Sequence, residues 1–158
     1  DEGAGAGDGN RSVRRQLSAM AELTYTEAFR QYGAKLTNPG WSVSAISPAG
    51  ELVVSLWQNL IVKGEEPGTL VYRDVLSEWQ GNPLGRNEYA AHLKDALARK
   101  LRVRLVMARP KEAVDEALVG NVQDESYIEK VFSVRPDLVG MLAEFDGDRL
   151  RFVFRLVR

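Results

Sequence analysis

Arginine alternates with apolar residues in two stretches of this chain, Arg102-Val103-Arg104-Leu105-Val106 and Arg149-Leu150-Arg151-Phe152-Val153-Phe154-Arg155. A guanidinium is a planar, permanently charged fork of donors. It matches a phosphate or the edge of a guanine, and it stacks on bases. A second chemistry sits in the tryptophans. Trp57 and Trp79 offer faces on which a base can stack, an interaction worth about 1–3 kcal/mol per base. Around Trp79 lie Gln80, Asn82 and Asn87, whose amides can read a base edge, together with Arg86. Lys100 adds charge beside the first arginine stretch. These residue types point to recognition of an anionic, planar ligand, most directly nucleic acid.

Other chemistries find less support. The chain has one histidine, His92, and no cysteine. Thiolate chemistry, disulfides and cysteine-ligated zinc are excluded, and a histidine-based metal site lacks partners. His92 reads as a flank residue packing its ring edge, with Glu88 four residues earlier as the one carboxylate that could orient it as a base. No glutamate stands two residues before a lysine, so the usual carboxylate–Glu-x-Lys nuclease pattern is missing. Asp137, Glu144, Asp146 and Asp148 gather around one turn and could take a divalent ion. Turn chemistry and a Glu144–Arg149 cross-strand pair account for them without one. Gly3-Ala-Gly5-Ala-Gly7 has no strand before it, so it is linker composition rather than a phosphate cradle. The sequence therefore assigns no catalytic residue, no metal ligand and no cofactor.

The chain has 158 residues, 44% hydrophobic and 27% charged, with a formal net charge of −1. That length and composition fit one globular domain. The overall charge names no partner, but its distribution is uneven. Lys94, Arg99, Lys100, Arg102, Arg104, Arg109 and Lys111 fall together with Asp95 as the one acid among them, while acids gather from Glu112 to Glu129. Such segregation makes a basic patch on a near-neutral protein. No apolar run approaches the ~20 residues of a membrane span. The expectation is a protein of the cytoplasm with no membrane partner; the oligomeric state is not legible.

The elements that would position these residues follow from pattern. Residues 1–22 read as a disordered tail or expression remnant, with Met20 a candidate start and Arg11, Arg14 and Arg15 a basic arm; residues 23–158 read as a single domain. Thr24-Tyr-Thr-Glu27 is a capping box, and Tyr25, Phe29, Tyr32 and Leu36 follow at helical spacing. Trp41–Ile46 and Glu51–Asn59 flank the turn Ser47-Pro48-Ala49-Gly50. Pairing Ile46 with Glu51 puts Trp41, Val43, Ala45, Leu52, Val54 and Leu56 on a core face, and Ser42, Ser44, Val53, Ser55 and Trp57 on the other. Thr69–Asp74 reads as a strand and Glu78–Gly85 as irregular. A second helix is expected after Asn87, with Tyr89, Leu93, Ala96 and Leu97 inward. It leads into the first arginine strand, and a third helix is expected over Lys111–Val119. Asp146-Gly147 signals a two-residue hairpin turn. That register pairs Glu144 with Arg149 and Leu142 with Arg151, and puts Val139, Met141, Ala143, Leu150, Phe152 and Phe154 inward. The order predicts an α+β fold: a curved, mostly antiparallel sheet or small β-barrel with about three flanking helices. The arginines would then share one outer face, which natural sheets usually dress with both charge signs; only Glu144 offsets them.

The size, this element order and the Trp57/Trp79-plus-arginine constellation resemble the PUA-like superfamily, which includes the ASCH, EVE/YTH and SRA domains, over roughly residues 23–158. The resemblance implies a non-enzymatic reader of modified bases in DNA or RNA, tied to restriction–modification or RNA modification. In that reading Trp57 and Trp79, with Gln80, Asn82 and Asn87, form a pocket for a flipped base. Arg102, Arg104, Arg149, Arg151, Arg155, Arg86 and Lys100 hold phosphates. Two alternatives remain open: a protein-interaction or inhibitor domain that docks an acidic partner, and a metal-dependent nucleotide or nucleic-acid hydrolase using the acidic hairpin.

Overall fold

A computed structural model describes residues 22–112, 119 and 128–157. Among them are two helices, α1 (Tyr25–Arg30) and α2 (Pro83–Arg99). Eight strands run β1 (Ser44–Ile46), β2 (Leu52–Trp57), β3 (Val62–Lys63), β4 (Thr69–Val75), β5 (Arg102–Pro110), β6 (Lys130–Val134), β7 (Leu138–Phe145) and β8 (Arg149–Leu156). They form one sheet in the order β1-β2-β5-β7-β8-β4-β3, with β6 also paired to β5. Every pairing is antiparallel except β2 with β5. The fold is α+β with a mostly antiparallel sheet. The sheet is open, ending in β1 and β3, so the strands do not close into a barrel. Two helices stand where about three were expected; the third, Lys111–Val119, falls largely outside the described residues, as do the basic arm and most of the tail.

Both helices start where local chemistry satisfies their free amides. The Thr24 hydroxyl accepts from the Glu27 amide at 3.2 Å, and the Glu27 carboxylate accepts from the Thr24 amide at 3.3 Å. α1 stops after six residues, so Tyr32 and Leu36 reach the core from the following turns rather than from a helix. α2 begins at Pro83, earlier than the expected start after Asn87. Asn82 is its N-cap, with the side-chain oxygen accepting from the Leu84 amide at 2.8 Å, and Pro83 occupies the first turn where its missing N–H costs nothing. Three of the eight residues read as irregular, Pro83, Leu84 and Gly85, are therefore helix. Leu97, expected inward, is exposed at the far end of α2.

The two faces of the sheet carry separate cores. One face packs Leu52, Val54, Val103, Leu105, Leu142, Phe152 and Phe154 against Tyr89, Leu93 and Ala96 of α2. The other packs Ala45, Val53, Val106 and Val134 against Ala28 and Phe29 of α1. Both hairpins differ in register from expectation, the first by one residue and the second by two at the turn and then by a bulge between Leu142 and Glu144; an odd net slip exchanges the faces. At the first, Ile46 pairs with Leu52, because Ser47 closes a longer loop: its amide donates to the Glu51 carbonyl at 2.9 Å and Gly50 takes φ +78°. Ala45 therefore joins Val53, and Ser44 joins Val54. At the second, Phe145 pairs with Leu150 and Glu144 with Arg151. The loop is Asp146-Gly147-Asp148; the Asp146 carboxylate accepts from the amides of Asp148 and Arg149 at 2.9 and 2.7 Å. Neither the Glu144–Arg149 nor the Leu142–Arg151 pairing forms. Leu138, Gly140 and Leu142 lie inward, and Val139, Met141 and Ala143 do not.

β5 divides its free edge. Arg102 and Val103 pair with β7, and Val106 to Pro110 pair with β6. The bend between β6 and β7, at Arg135-Pro136-Asp137, is clamped from several sides. Arg104 donates to the Pro136 carbonyl at 2.8 Å, lies 3.6 Å from the Glu51 carboxylate, and sits over the Tyr32 ring at 4.8 Å. Tyr32 donates to the Leu105 carbonyl at 2.8 Å and accepts from the Arg135 amide at 3.2 Å; burial pushes its hydroxyl up to about 12. Arg135 grips Asp137 with both ends of its fork, at 2.8 and 2.7 Å. Arg104→Ala is thus expected to cost about 1–3 kcal/mol in urea unfolding, since it strips partners from half-buried groups. Arg102→Ala, at an exposed position, should stay within about 0.5 kcal/mol. Equal, small effects in both variants would contradict the clamp.

Candidate functional site

A cavity of about 880 Å³ opens between the end of β2, β4, β6, the loop before β1 and the N-terminal half of α2. That is in the size range of small-molecule and nucleotide pockets. All three tryptophans line it: Trp41 from the loop before β1, Trp57 from the end of β2 and Trp79 from the turn before α2. Tyr25, Tyr72, Tyr89 and Phe132 complete an aromatic lining, and Asp74, Glu78, Gln80, Asn82 and Lys130 supply polar groups.

Each ring is held by its neighbours. Trp79 packs against Tyr89 with centroids 6.1 Å apart, and its indole N–H donates to the Asn82 carbonyl at 3.1 Å. Lys130 places its ammonium 5.6 Å from the Trp57 centroid, within cation–π range. Tyr25 stacks 4.7 Å from Phe132 and donates to the Ser42 carbonyl at 2.6 Å; burial drives its pKa far above the ordinary value. Gly85, in the first turn of α2, lies so close to the Trp41 backbone that an added methyl would collide with the Trp41 carbonyl oxygen. Glycine there lets α2 seat against the loop that carries Trp41.

Tyr72 and Asp74 alternate on β4, so both face the same side as Phe152 and Leu150, their partners on β8. Tyr72 donates to the Asp74 carboxylate at 3.3 Å, and Asp74 also accepts from the Val75 amide at 2.8 Å. Next to them Tyr89 is 3% exposed, and its hydroxyl has no hydrogen-bond partner among the described residues. Burial, with Tyr72 and Asp74 nearby, holds that hydroxyl protonated well above its ordinary pKa. A buried phenol without an acceptor is an unmet bond costing about 1–3 kcal/mol. Tyr89 lines the cavity, and its hydroxyl oxygen has almost no accessible surface.

The structure gathers Trp57, Trp79, Gln80 and Asn82 at this cavity. It leaves Asn87 outside, exposed on α2. Asn82 spends its side-chain oxygen capping α2 and its carbonyl holding Trp79, so it positions rather than reads. The basic residues lie elsewhere: none of Arg102, Arg104, Arg149, Arg151, Arg155, Arg86 or Lys100 lines the cavity. Arg86 is exposed on α2, and Lys100 is its C-cap in the left-handed region at φ 52°. Arg102, Arg104, Arg151 and Arg155 do share the outer face of the sheet by register. Most of them are engaged there. Arg151 pairs with Glu144 at 2.8 Å, Arg155 with Glu66 at 2.7 Å, and Arg104 is half-buried in the clamp.

No protein-family model, curated protein or solved structure matches the chain. The site therefore stands on its own geometry.

Sequence reasoning missed Trp41, Tyr25, Tyr72, Asp74, Tyr89 and Lys130. For β4 a signal was present, since Asp74 falls on the same strand phase as Leu70 and Tyr72, where a plain core would take an apolar residue. The acidic hairpin is bound up locally. Asp137 is gripped by Arg135, Glu144 by Arg151, Asp146 by the turn amides, and Asp148 accepts from the Ser77 amide at 2.7 Å. Among the described residues no group of three or more acids or histidines could hold a metal ion, and no helix is long and apolar enough to cross a membrane.

His92 lies away from the cavity. Its Nδ1 shares a hydrogen bond of 2.8 Å with Ser44, which is fully buried on β1. Burial lowers its pKa below 6.5, against the opposing pull of Glu88 and Asp95. A lowered value in the folded state means that the unfolded chain takes the proton first. Stability should fall as pH drops below about 6.5 and level off below the folded pKa. His92→Gln should remove this step from denaturation curves taken across that window. A step that persists in the variant would assign it to another group.

Proposed function

We propose that this chain is a nucleic-acid-binding module that takes a single base into the aromatic cavity. The observation that carries the reading is the convergence of Trp41, Trp57 and Trp79 on one cavity beside the unpartnered, buried Tyr89 hydroxyl. A planar, hydrogen-bonding ligand answers both features. Its ring stacks on indole, and one of its acceptors accepts a hydrogen bond from the Tyr89 hydroxyl. Asp74 and Gln80 stand where they can accept from or donate to the edge of such a ring, and Lys130 brings positive charge to the same cavity. The base must leave its helix or come from a single strand to enter. The resemblance to PUA-like readers makes a modified base the ligand class we favour, in DNA or RNA. The phosphate contacts we assign to Lys130 and exposed cations, rather than to the carboxylate-paired arginines of the outer face.

Two substitutions test this in different ways. Trp57→Ala should weaken binding of short single-stranded oligonucleotides carrying one methylated base by about 5- to 150-fold, the loss of one stacking partner. Tyr89→Phe should leave thermal stability unchanged or raise it, because it deletes an unmet donor, yet weaken the same binding about 2- to 10-fold. Fluorescence anisotropy on DNA and RNA versions, plain and methylated, distinguishes the polymers and the modification. Oligonucleotides that bind the wild-type chain and both variants equally would place the base elsewhere and end the proposal.

A further inference from the structure

The outer face of the sheet is only half covered. α1 covers the part formed by β1, β2, β5 and β6. Across β5, β7, β8, β4 and β3 the register lines up one direct row: Arg102, Met141, Val153, Val71 and Val62. Directly paired residues in a sheet present their side chains on the same face. Gly64, in the turn after β3, packs against Val71, which is 6% exposed, so the open apolar surface of the row lies at Met141, Val153 and Val62. Met141 is 53% exposed and Val62 50% exposed, and Val153 is half-buried between them. With strands about 4.8 Å apart, the apolar part of the row spans roughly 14 Å.

Charge borders the row. Arg151 and Arg73 are cross-strand partners on one side, and Arg104 and Arg155 lie on the other. The carboxylates of this face, Glu144, Glu66 and Glu51, are each already paired to Arg151, Arg155 and Arg104. Arg73 and Arg102 are exposed without a carboxylate partner among the described residues. The face is therefore apolar along its middle and cationic in excess around it. A solvated strand face has no use for Met141 and Val62 in line, and a phosphate backbone has no use for them either.

We infer that this face docks a polypeptide segment that is both acidic and amphipathic, with an apolar stripe seated on Met141, Val153 and Val62 and carboxylates reaching Arg73 and Arg102. The surface is separate from the aromatic cavity, so the protein can hold a protein partner and a small planar ligand at once. Apolar burial at the centre supplies affinity, and the unpaired arginines at the rim supply orientation and rate of encounter.

The probes are synthetic peptides made of glutamate and leucine only, one with leucines at helical spacing and one alternating. Each has a scrambled isomer of the same composition. Added to the full chain and read by fluorescence anisotropy, at least one patterned peptide should bind about tenfold more tightly than its isomer. Met141→Asp should lower that affinity about tenfold or more, and Arg73→Ala with Arg102→Ala should lower it and flatten its salt dependence. All these positions are exposed, and unfolding curves show whether each variant keeps its fold; Met141→Ser serves if the aspartate does not. Trp57→Ala should bind the peptide as the wild type does, which separates this claim from that of the cavity. Equal binding of patterned and scrambled peptides would reduce the face to a charge effect and overturn the inference. So would no binding at all. A short oligonucleotide that displaces the peptide, and is itself lost with Arg73→Ala and Arg102→Ala, would make the face a phosphate surface instead.

Discussion

Strand β5 lends its two edges to three strands and its two faces to two cores, and the rest of the molecule is arranged by that demand. On one edge it runs parallel to β2; on the other it gives Arg102 and Val103 to β7 and Val106 to Pro110 to β6. Val103 and Leu105 face α2, and Val106 faces α1. A strand buried on both faces reads as a nearly continuous apolar run, yet this one carries Arg104 in its middle. That arginine is kept because its fork closes the bend where β6 hands over to β7, with Tyr32 beneath it and the Pro136 carbonyl and Glu51 at its ends. The bend in turn separates the part of the sheet that β6 joins from the part that β7 and β8 form.

The cavity is a consequence of the same division. β6 leaves β5's far end and brings Lys130 and Phe132 to the end of β2, where Trp57 stands. β4, on the other arm of the sheet, brings Tyr72 and Asp74 from the opposite side. α2 closes the gap, and its start is fixed by Asn82 and Pro83 and by the close seat of Gly85 on the Trp41 backbone. The seven aromatic rings thus come from α1, the loop before β1, β2, β4, the turn before α2, α2 and β6. The contacts that hold them are mostly ring packing and single hydrogen bonds. Such a wall lines the cavity with aromatic side chains and keeps the Tyr89 hydroxyl buried.

How much of this the sequence revealed depended on range. Signals that act within a few residues were legible: the Thr24–Glu27 capping box, the two arginine strands with Leu150, Phe152 and Phe154 inward, and the turns at both hairpins. Signals that decide between neighbouring registers were not. Asp146-Gly147 suits a two-residue turn, but the Asp146 carboxylate caps two amides and pairing starts at Phe145–Leu150, a shift of two that keeps the faces; the bulge at Ala143 then adds one residue and exchanges the faces of β7. A one-residue slip at Ser47 moved Ala45 from one core to the other. The segment around Trp79 was read as loop because the start signal in Asn82-Pro83 lay inside a run that also contains Gly81 and Gly85. For the site, Trp57, Trp79, Gln80 and Asn82 were singled out by type, whereas Trp41, Tyr25 and Tyr89 arrive through long-range packing that no local pattern encodes. The arginines share a face as their phase required, but alternation alone could not show that carboxylates from Glu51 and Glu66, distant in sequence, would meet them.

The chain contains three tryptophans, and all three stand in the cavity wall. Their indole N–H groups give three separate signals in a nitrogen-15 NMR spectrum, so one titration reports directly on where a base goes. With a short single-stranded oligonucleotide carrying a methylated base, the account predicts that the indole signals of Trp41, Trp57 and Trp79 move with increasing ligand, while the backbone amides of Met141, Val153 and Arg155 on the outer face stay in place. Movement of those outer-face amides with all three indole signals unchanged would contradict it.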